Sequence, residues 1–483
     1  MSNSTASSRL RSAIHLLQQW DWRLFLLIFL FMALPMFYRS YSVYLIGNAI
    51  PDTNALATVA QWQFVDLLLE VVQETFVLAI FFFVGKGIQS KEGPGSQIRT
   101  ALTTILIFST AIAAVLFTFS SSFVAVIGTP PEIQAATATF LKVKIASIPI
   151  LLLSTAAVMI IETTNRKKLI LTMAILQVVF RFICDNFFYG GHSFSMKLGV
   201  LGVGWSDLTA SLALLITMLV LLRRPLTSAI EHWWALFSLK DWKTYLRVGG
   251  WSGLDSLVRN FAYFFMIIRL LNLLGPDAIG GYYLAMNIFW SFLLVPVLAL
   301  AETSKVLIAN HSLDIQKVRK LWYTALIIGT LLIIIWLFLL PFWQGFAGML
   351  NKNGQVVQFS LDAMAILIVP YMLFALNTLT DSIFYGVGKT RYMAYQSIIT
   401  NGTVYVIAFI LYLAKIWTPS FASIMVLFSL GILVDSILTV FYALRVLYPA
   451  AKKLAPEAAE GEPLGTKFEI RKSKSEINPK FYD

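Results

Sequence analysis

Apolar stretches of about 20 residues, each long enough to cross roughly 30 Å of hydrocarbon as an α-helix, recur about twelve times along this chain of 483 residues. They place helices near 22–47, 58–84, 101–128, 136–161, 168–190, 200–222, 247–274, 279–304, 322–349, 357–385, 391–415 and 419–447. Inside lipid every backbone N–H and C=O must find a partner within the protein, so spans of this length fold as a helical bundle. Composition agrees: 58% of residues are hydrophobic and only 13% charged, against about 25% charged in soluble domains. The fold class read here is all-α, a polytopic membrane protein with 12 transmembrane helices.

The loops between these spans alternate in charge. One set carries Lys86, Lys91 and Arg99; Arg166, Lys167 and Lys168; Arg223, Arg224, Lys240, Lys243 and Arg247; Lys305, Lys317, Arg319 and Lys320; and Lys389 with Arg391. The opposite set carries Lys197, Lys352 and Lys415. The positive-inside rule puts the basic loops in the cytoplasm and, with an even helix count, both termini there too. The expected location is the cell (inner) membrane. The polar, then amphipathic N-terminus lacks the short apolar core and small-residue cleavage site of a signal peptide. The net charge of +12 is accounted for by these loops and calls for no nucleic acid. A single cysteine, Cys184, and four scattered histidines give neither a disulfide framework nor metal-ligand spacing. With no nucleophile elbow, phosphate loop or large soluble domain, an enzyme is not expected, nor any cofactor.

The chain reads as two halves. KIASIPILLLSTAAVMIIETTNRKK, from Lys144, lies on AILIVPYMLFALNTLTDSIFYGVGK, from Ala365, matching Pro149 to Pro370 and Lys168 to Lys389. Likewise Pro51–Asp52 matches Pro276–Asp277, and Glu74–Thr75 matches Glu302–Thr303. Six helices per half give repeats of one orientation, two six-helix lobes related by a pseudo-twofold axis along the membrane normal. The expected division is a cytoplasmic N-terminal segment (1–20), an N-terminal lobe (21–222), an interfacial linker (223–246), a C-terminal lobe (247–449) and a flexible cytoplasmic tail (450–483).

Asp66, Glu70 and Glu74 carry the sharpest functional signal. At four-residue spacing they share one stripe of an otherwise apolar helix. A carboxylate at mid-bilayer costs roughly 2.5–3.5 kcal/mol, so such acids face a water-filled cavity or a partner. Arg39, Arg181, Arg259 and Arg269 also fall at membrane depth. Arginine stays charged and grips carboxylate or phosphate bidentately. If Arg39 and Arg259 face the cavity, its lining is mixed in sign and an anionic or zwitterionic cargo fits. Otherwise each arginine pairs on its own helix, Arg181 with Asp185 and Arg259 with Asp255, both at i, i+4 spacing. Asn377 and Asp381 are the inner candidates of the second half. Glu302 with Lys305 reads as a surface pair, while Asp207 and Asp435 read as solvated helix-end acids. Pro35, Pro149, Pro296 and Pro370 fall inside helices as potential bends.

Three stretches together resemble a known group: DWKTYLRVGGWSGLDSL, LLGPDAIGGYYLAMNIFWSFLLVPVLALAETSKVLIANH and ICDNFFYGGHSFSMKLGVLGVGWSDLTASL. The chain resembles a divergent member of the multidrug and toxic compound extrusion (MATE) family of the MOP exporter superfamily, over nearly all of 20–448. The resemblance implies two six-helix lobes around a cavity open alternately to each side, with export driven by Na⁺ or H⁺. It aligns Asp185 with the helix-five acid that helps bind the coupling cation in some branches, so a Na⁺ site near Asp185 is implied. The pattern also departs from the family. Arg181 stands where the family has Asn, Arg259 falls near its helix-seven Glu, and Phe374 replaces the early helix-ten acid. Arg39 lies in the region of the helix-one acid.

The expected function is secondary active export of organic molecules, cationic or amphiphilic, by alternating access. The alternative is a flippase or exporter of a lipid-linked or organic anion using cavity arginines. Asp66, Glu70, Glu74, Asp185, Arg181, Arg39, Asp255, Arg259, Asn377 and Asp381 are the candidate cavity residues. The expected partners are a small-molecule or lipid-like substrate and membrane lipids, and the protein is expected to be a monomer.

Overall fold

The computed structural model describes residues 20–77, 79–80, 84, 95–163, 167–221, 239–311, 314–387, 389 and 391–448. Within them, the side chains of 27, 161–171, 221, 239–241, 244, 247–248, 251–252, 255 and 309–310 are outside the description. The expected N-terminal surface segment, most of the interfacial linker and the tail lie outside the described residues.

Twelve long helices follow one another, and no strand occurs among the described residues. They are α1 (Trp22–Ala49), α2 (Ala55–Val77), α3 (Gly95–Thr118), the bent α4 (Pro131–Ile145 and Ile148–Ile160), α5 (Lys167–Phe188) and α6 (Val200–Leu221). After them come α7 (Leu239–Tyr263, then Phe264–Ile268 and Arg269–Asn272 in one run), α8 (Pro276–Ile308), α9 (Ile315–Leu350), α10 (Gly354–Val387), α11 (Arg391–Leu413) and α12 (Phe421–Leu447). Among the described residues nine helices are long and apolar enough to cross a membrane, ten with bent α4. The remaining two, α5 and α7, are the ones that carry Arg181 with Asp185 and Asp255 with Arg259. α7 starts at Leu239, so the last eight residues of the expected linker, 239–246, are helical.

Local sequence sets the helix ends. Asp21 accepts from the Leu24 N–H at 2.9 Å and starts α1. Ser420 and Ser423 cap α12 reciprocally. Gly275, at φ 105°, turns the chain from α7 into α8, whose first residue is Pro276. That conformation suits glycine, and proline suits the first helical position. Pro149 sits at the 45° break of α4 rather than inside a straight helix. Pro370, its repeat partner, lies within unbroken α10. Single π-helical turns interrupt α2 at Gln73–Val77, α7 at Phe264–Ile268, α8 at Phe289–Leu293 and α11 at Asn401–Tyr405. Such turns gather at functional positions.

The same packing recurs in both halves. α4 packs on α3, α5 and α6 in the first lobe, as α10 packs on α9, α11 and α12 in the second. Two seams that are twofold images of each other join the lobes, α1 against α8 and α2 against α7, and the start of α2 also packs on the start of α8.

At the lysine-poor face the lobes are closed. Gln61 of α2 and Asn272 of α7 form a reciprocal amide pair, 2.8 and 2.9 Å, and both are buried. The Asn272 amide also donates to the Ile127 carbonyl at 3.1 Å. Asn48 of α1 donates to the carbonyls of Met349 and Leu350 at 2.9 and 3.2 Å. Toward the basic face, Gly249 and Gly253 of α7 lie so close to Thr75 of α2 that a Cβ at either would overlap it. The Tyr245 hydroxyl there donates to the Phe76 carbonyl.

Candidate functional site

The N-terminal lobe holds a cavity of about 340 Å³ among α1, α2, α4, α5 and α6, with Tyr283 of α8 on its wall. Lone charges on five apolar helices meet here, because each can leave the lipid only by facing the same interior space. Asp207 of α6 is held twice, by Lys144 at 2.8 Å and by Arg181 at 3.0 Å. Lys144 also stands 4.5 Å over the Trp62 ring. Asp66 and Arg39 are exposed to the cavity, which Lys144 and Trp62 also line.

Asp185 is buried behind this cavity. It accepts hydrogen bonds from the hydroxyls of Tyr38 on α1 and Ser206 on α6. Beside it, Tyr41 donates to Asn186 at 3.0 Å. The expected Arg181–Asp185 pair is therefore not formed. Asp185 turns toward α1, and the long Arg181 fork reaches across to α6, where a full negative charge is available. Asp207 is correspondingly no solvated helix-end acid.

The acidic stripe does not face one vestibule. Asp66 belongs to the N-lobe cavity, whereas Glu70 and Glu74 both grip the Arg259 guanidinium across the α2/α7 seam, each at 2.9 Å. Arg259 thus pairs across the lobes, and the Asp255 side chain, the partner expected on its own helix, lies outside the described residues. Glu74 and Arg259 also border a second cavity, of about 570 Å³, in the C-terminal lobe. Asp381 and Asp435 line it. The Asn377 amide donates to Asp435 at 2.7 Å, and the Thr439 hydroxyl to Asp381 at 3.4 Å. Asp435 is therefore an interior acid, contrary to the sequence reading. Glu302 and Lys305 pair at 2.6 Å, as expected for neighbours one turn apart.

Tyr38, Lys144, Ser206, Asp207 and Asp435 escaped the sequence reading as site residues. For Lys144, Asp207 and Asp435 a signal was present, since each is a charge inside an apolar helix. The hydroxyls of Tyr38 and Ser206 had none. Among the described residues no group of three or more His, Cys, Asp and Glu is placed to hold a metal ion.

Residues 252–410, from α7 to α11, match the family model MatE. Solved structures extend the likeness to the whole fold, that of the 12-helix MATE transporters of the MOP superfamily. A multidrug resistance MATE family transporter of that superfamily, in its inward-facing conformation, superposes with a TM-score of 0.71 at 16% identity, over 87% of this chain and 96% of that one. An outward-facing structure of a multidrug resistance MATE family transporter gives 0.64 at 16% identity, over 88% and 94%. A MOP superfamily transporter from Pyrococcus furiosus, described by the reverse polarity of its binding pocket, gives 0.64 at 18% identity, over 90% and 98%. No curated protein matches the chain. On this MATE fold, α1, α2, α7 and α8 form the lobe boundary and carry Arg39, the acidic stripe and Arg259.

Proposed function

We propose that this chain is a secondary active exporter that works by alternating access, driven by a H⁺ or Na⁺ gradient, and that its cargo is an amphoteric or anionic organic molecule. The lining of the N-lobe cavity carries this reading. Arg39, Lys144 and Arg181 face only Asp66 and Asp207 there. Asp207 is already satisfied by two cations. Arg39 and Asp66 are left exposed, one a fork for carboxylate or phosphate and the other a seat for an ammonium. A volume of about 340 Å³ suits a small organic molecule. The MOP relative described by a reversed pocket polarity supports a pocket sign that varies on this fold. This lining weighs against a purely cationic cargo.

The basic face is assigned to the cytoplasm by the positive-inside rule. Closure of the lysine-poor face, and the higher score against the inward-facing of the two conformers, support an inward-facing state. Asp185 is the coupling carboxylate in this reading. Its oxygens, with the Tyr38 and Ser206 hydroxyls and the neighbouring Asn186 amide, are hard donors that suit a proton or an alkali cation. Occupancy there would change the bonds between α1, α5 and α6, and so bias one lobe conformation over the other.

Proteoliposomes loaded with labelled organic acids, zwitterions and organic cations, under separate Na⁺ and H⁺ gradients, test the proposal. Zwitterions or acids are expected to move under one gradient. Arg39→Ala should cut that flux at least about tenfold, the loss of one charge-assisted pair, and Asp185→Asn should abolish the gradient dependence. Movement of organic cations alone, undiminished in Arg39→Ala, overturns it.

A further inference from the structure

The two lobes differ where α11 meets α12. In the N-terminal lobe the equivalent pair, α5 and α6, packs closely. It is shut at the lysine-poor end, where a Cβ at Gly202 would overlap the Phe188 carbonyl and the Tyr189 side chain. In the C-terminal lobe close packing ends at the π-helical turn of α11. Tyr405 in that turn seats its ring against Gly431 of α12, where no room is left for a Cβ. Beyond it, Val406–Leu413 stands off from the other helices, and of its residues only Ala408 is buried.

The gap is a groove of about 670 Å³ between α11 and α12. Ile407, Val426 and Leu430 line it and are each about half exposed, so it opens sideways to the lipid and not into the bundle. Its length matches one leaflet. Thr403 to Leu411 covers about 12 Å of α11 and Ser423 to Val434 about 16 Å of α12, at 1.5 Å per residue. Half of the hydrocarbon is about 15 Å deep. The two hydroxyls in its wall are already engaged within their own helices, Thr403 with the Ile399 carbonyl at 2.7 Å and Ser423 with the Ser420 carbonyl at 3.0 Å. Such a wall suits hydrocarbon.

The rim of the groove is different. Trp417 stands at its lysine-poor end, where tryptophan anchors at the headgroup level. Two residues earlier comes Lys415, exposed, at φ 58°, and in no ion pair among the described residues. The Ile416 and Trp417 N–H groups both bond the Leu411 carbonyl, at 3.0 and 3.2 Å. The turn that carries this cation is therefore folded onto the rim.

We propose that the groove binds one anionic phospholipid, of the phosphatidylglycerol class, from the leaflet at the lysine-poor face. One acyl chain fills the space between α11 and α12. The Trp417 indole lies at the depth of the glycerol, and the Lys415 ammonium pairs with the phosphate. A choline headgroup would set a second cation beside Lys415, which favours the anionic class. The site is separate from both cavities and does not depend on the cargo.

Photolabelling of the full-length protein tests the site. It is placed in phosphatidylcholine nanodiscs with a trace of phosphatidylglycerol whose acyl chain carries a diazirine, and the labelled peptides are mapped by mass spectrometry. Labelling is expected on 403–411 and 423–434, at least about tenfold above the closed α5/α6 pair. Diazirine phosphatidylcholine should label the groove about fivefold less. Lys415→Ala should lower the phosphatidylglycerol signal by about the same factor, the effect of one lysine near an anionic headgroup. Lys197→Ala, in the matching turn of the N-terminal lobe at φ 51°, should leave it unchanged. Val426→Trp, which puts an indole in the groove, should cut it at least about tenfold. Even labelling of the two helix pairs, equal labelling by the two lipids, a signal untouched by Lys415→Ala or by Val426→Trp, or an equal loss in Lys197→Ala each overturns the proposal. If gel filtration shows that Val426→Trp does not fold, the lipid comparison and the two lysine variants decide alone.

Discussion

Asp207 shows what a single charge does inside an apolar helix. It draws Lys144 from α4 and Arg181 from α5 to 2.8 and 3.0 Å, with about 13% of its side chain exposed. Removing the shared carboxylate would leave two cations facing each other with no counter-charge between them. We predict that Asp207→Asn lowers stability by about 3–5 kcal/mol, the usual cost of orphaning a buried charge, seen as a fall in the thermal unfolding midpoint in detergent. Glu70→Gln should cost far less, under about 1 kcal/mol, since that carboxylate is nearly half exposed and Glu74 keeps its hold on Arg259. Equal losses in the two variants would show that the aqueous cavity screens Asp207 as fully as it screens Glu70. The sequence marked Asp66, Glu70 and Glu74 as charges that need company. It did not reveal which company, because Arg259 stands some 185 residues further on.

α2 and α7 hold the lobes together along one seam, and the seam is built differently at its two ends. At the lysine-poor end the Gln61–Asn272 amide pair locks it through directional, buried bonds. Toward the basic end, bare glycines let the backbones touch. Gln61→Ala removes the pair and strands the Asn272 side-chain oxygen, while the Asn272 nitrogen keeps the Ile127 carbonyl, at a cost of about 1–3 kcal/mol to the closed arrangement. The expected result is a longer distance between spin labels at Thr53 and Gln355, one on each lobe, read by pulsed electron resonance. An unchanged distance distribution would mean that the Asn48 bonds to Met349 and Leu350 suffice to keep that face shut. The four π-helical turns were invisible in the sequence, since nothing in Gln73–Val77 or Phe289–Leu293 separates them from ordinary helix.

Across the whole molecule, two cavities of unlike charge lie on either side of a boundary that rearranges in the proposed alternating-access cycle. The contact of Gly249 and Gly253 with Thr75 restricts that motion most tightly. Gly249→Ala should push α7 off α2 and disturb the exchange between lobe arrangements. Initial transport rates are expected to fall at least about tenfold, equivalent to ~1.4 kcal/mol on the barrier. Equilibrium cargo binding in the N-lobe cavity, remote from that contact, should change by less than about threefold. A parallel loss of binding would mean that the seam shapes the cavity as well as the motion.

Span number, alternating loop charge and the doubling of six helices were all legible in the sequence. Each depends on a local requirement: about 20 apolar residues to cross the hydrocarbon, lysine and arginine on one side, and similar segments at similar places. Tertiary structure alone decided the partners, placing Arg181 on Asp207, Arg259 on Glu70 and Glu74, and Tyr38 on Asp185. In lipid a helix is apolar on nearly every face, so the pattern along it does not reveal which way a buried charge points. That direction is set only when another helix arrives with the opposite charge.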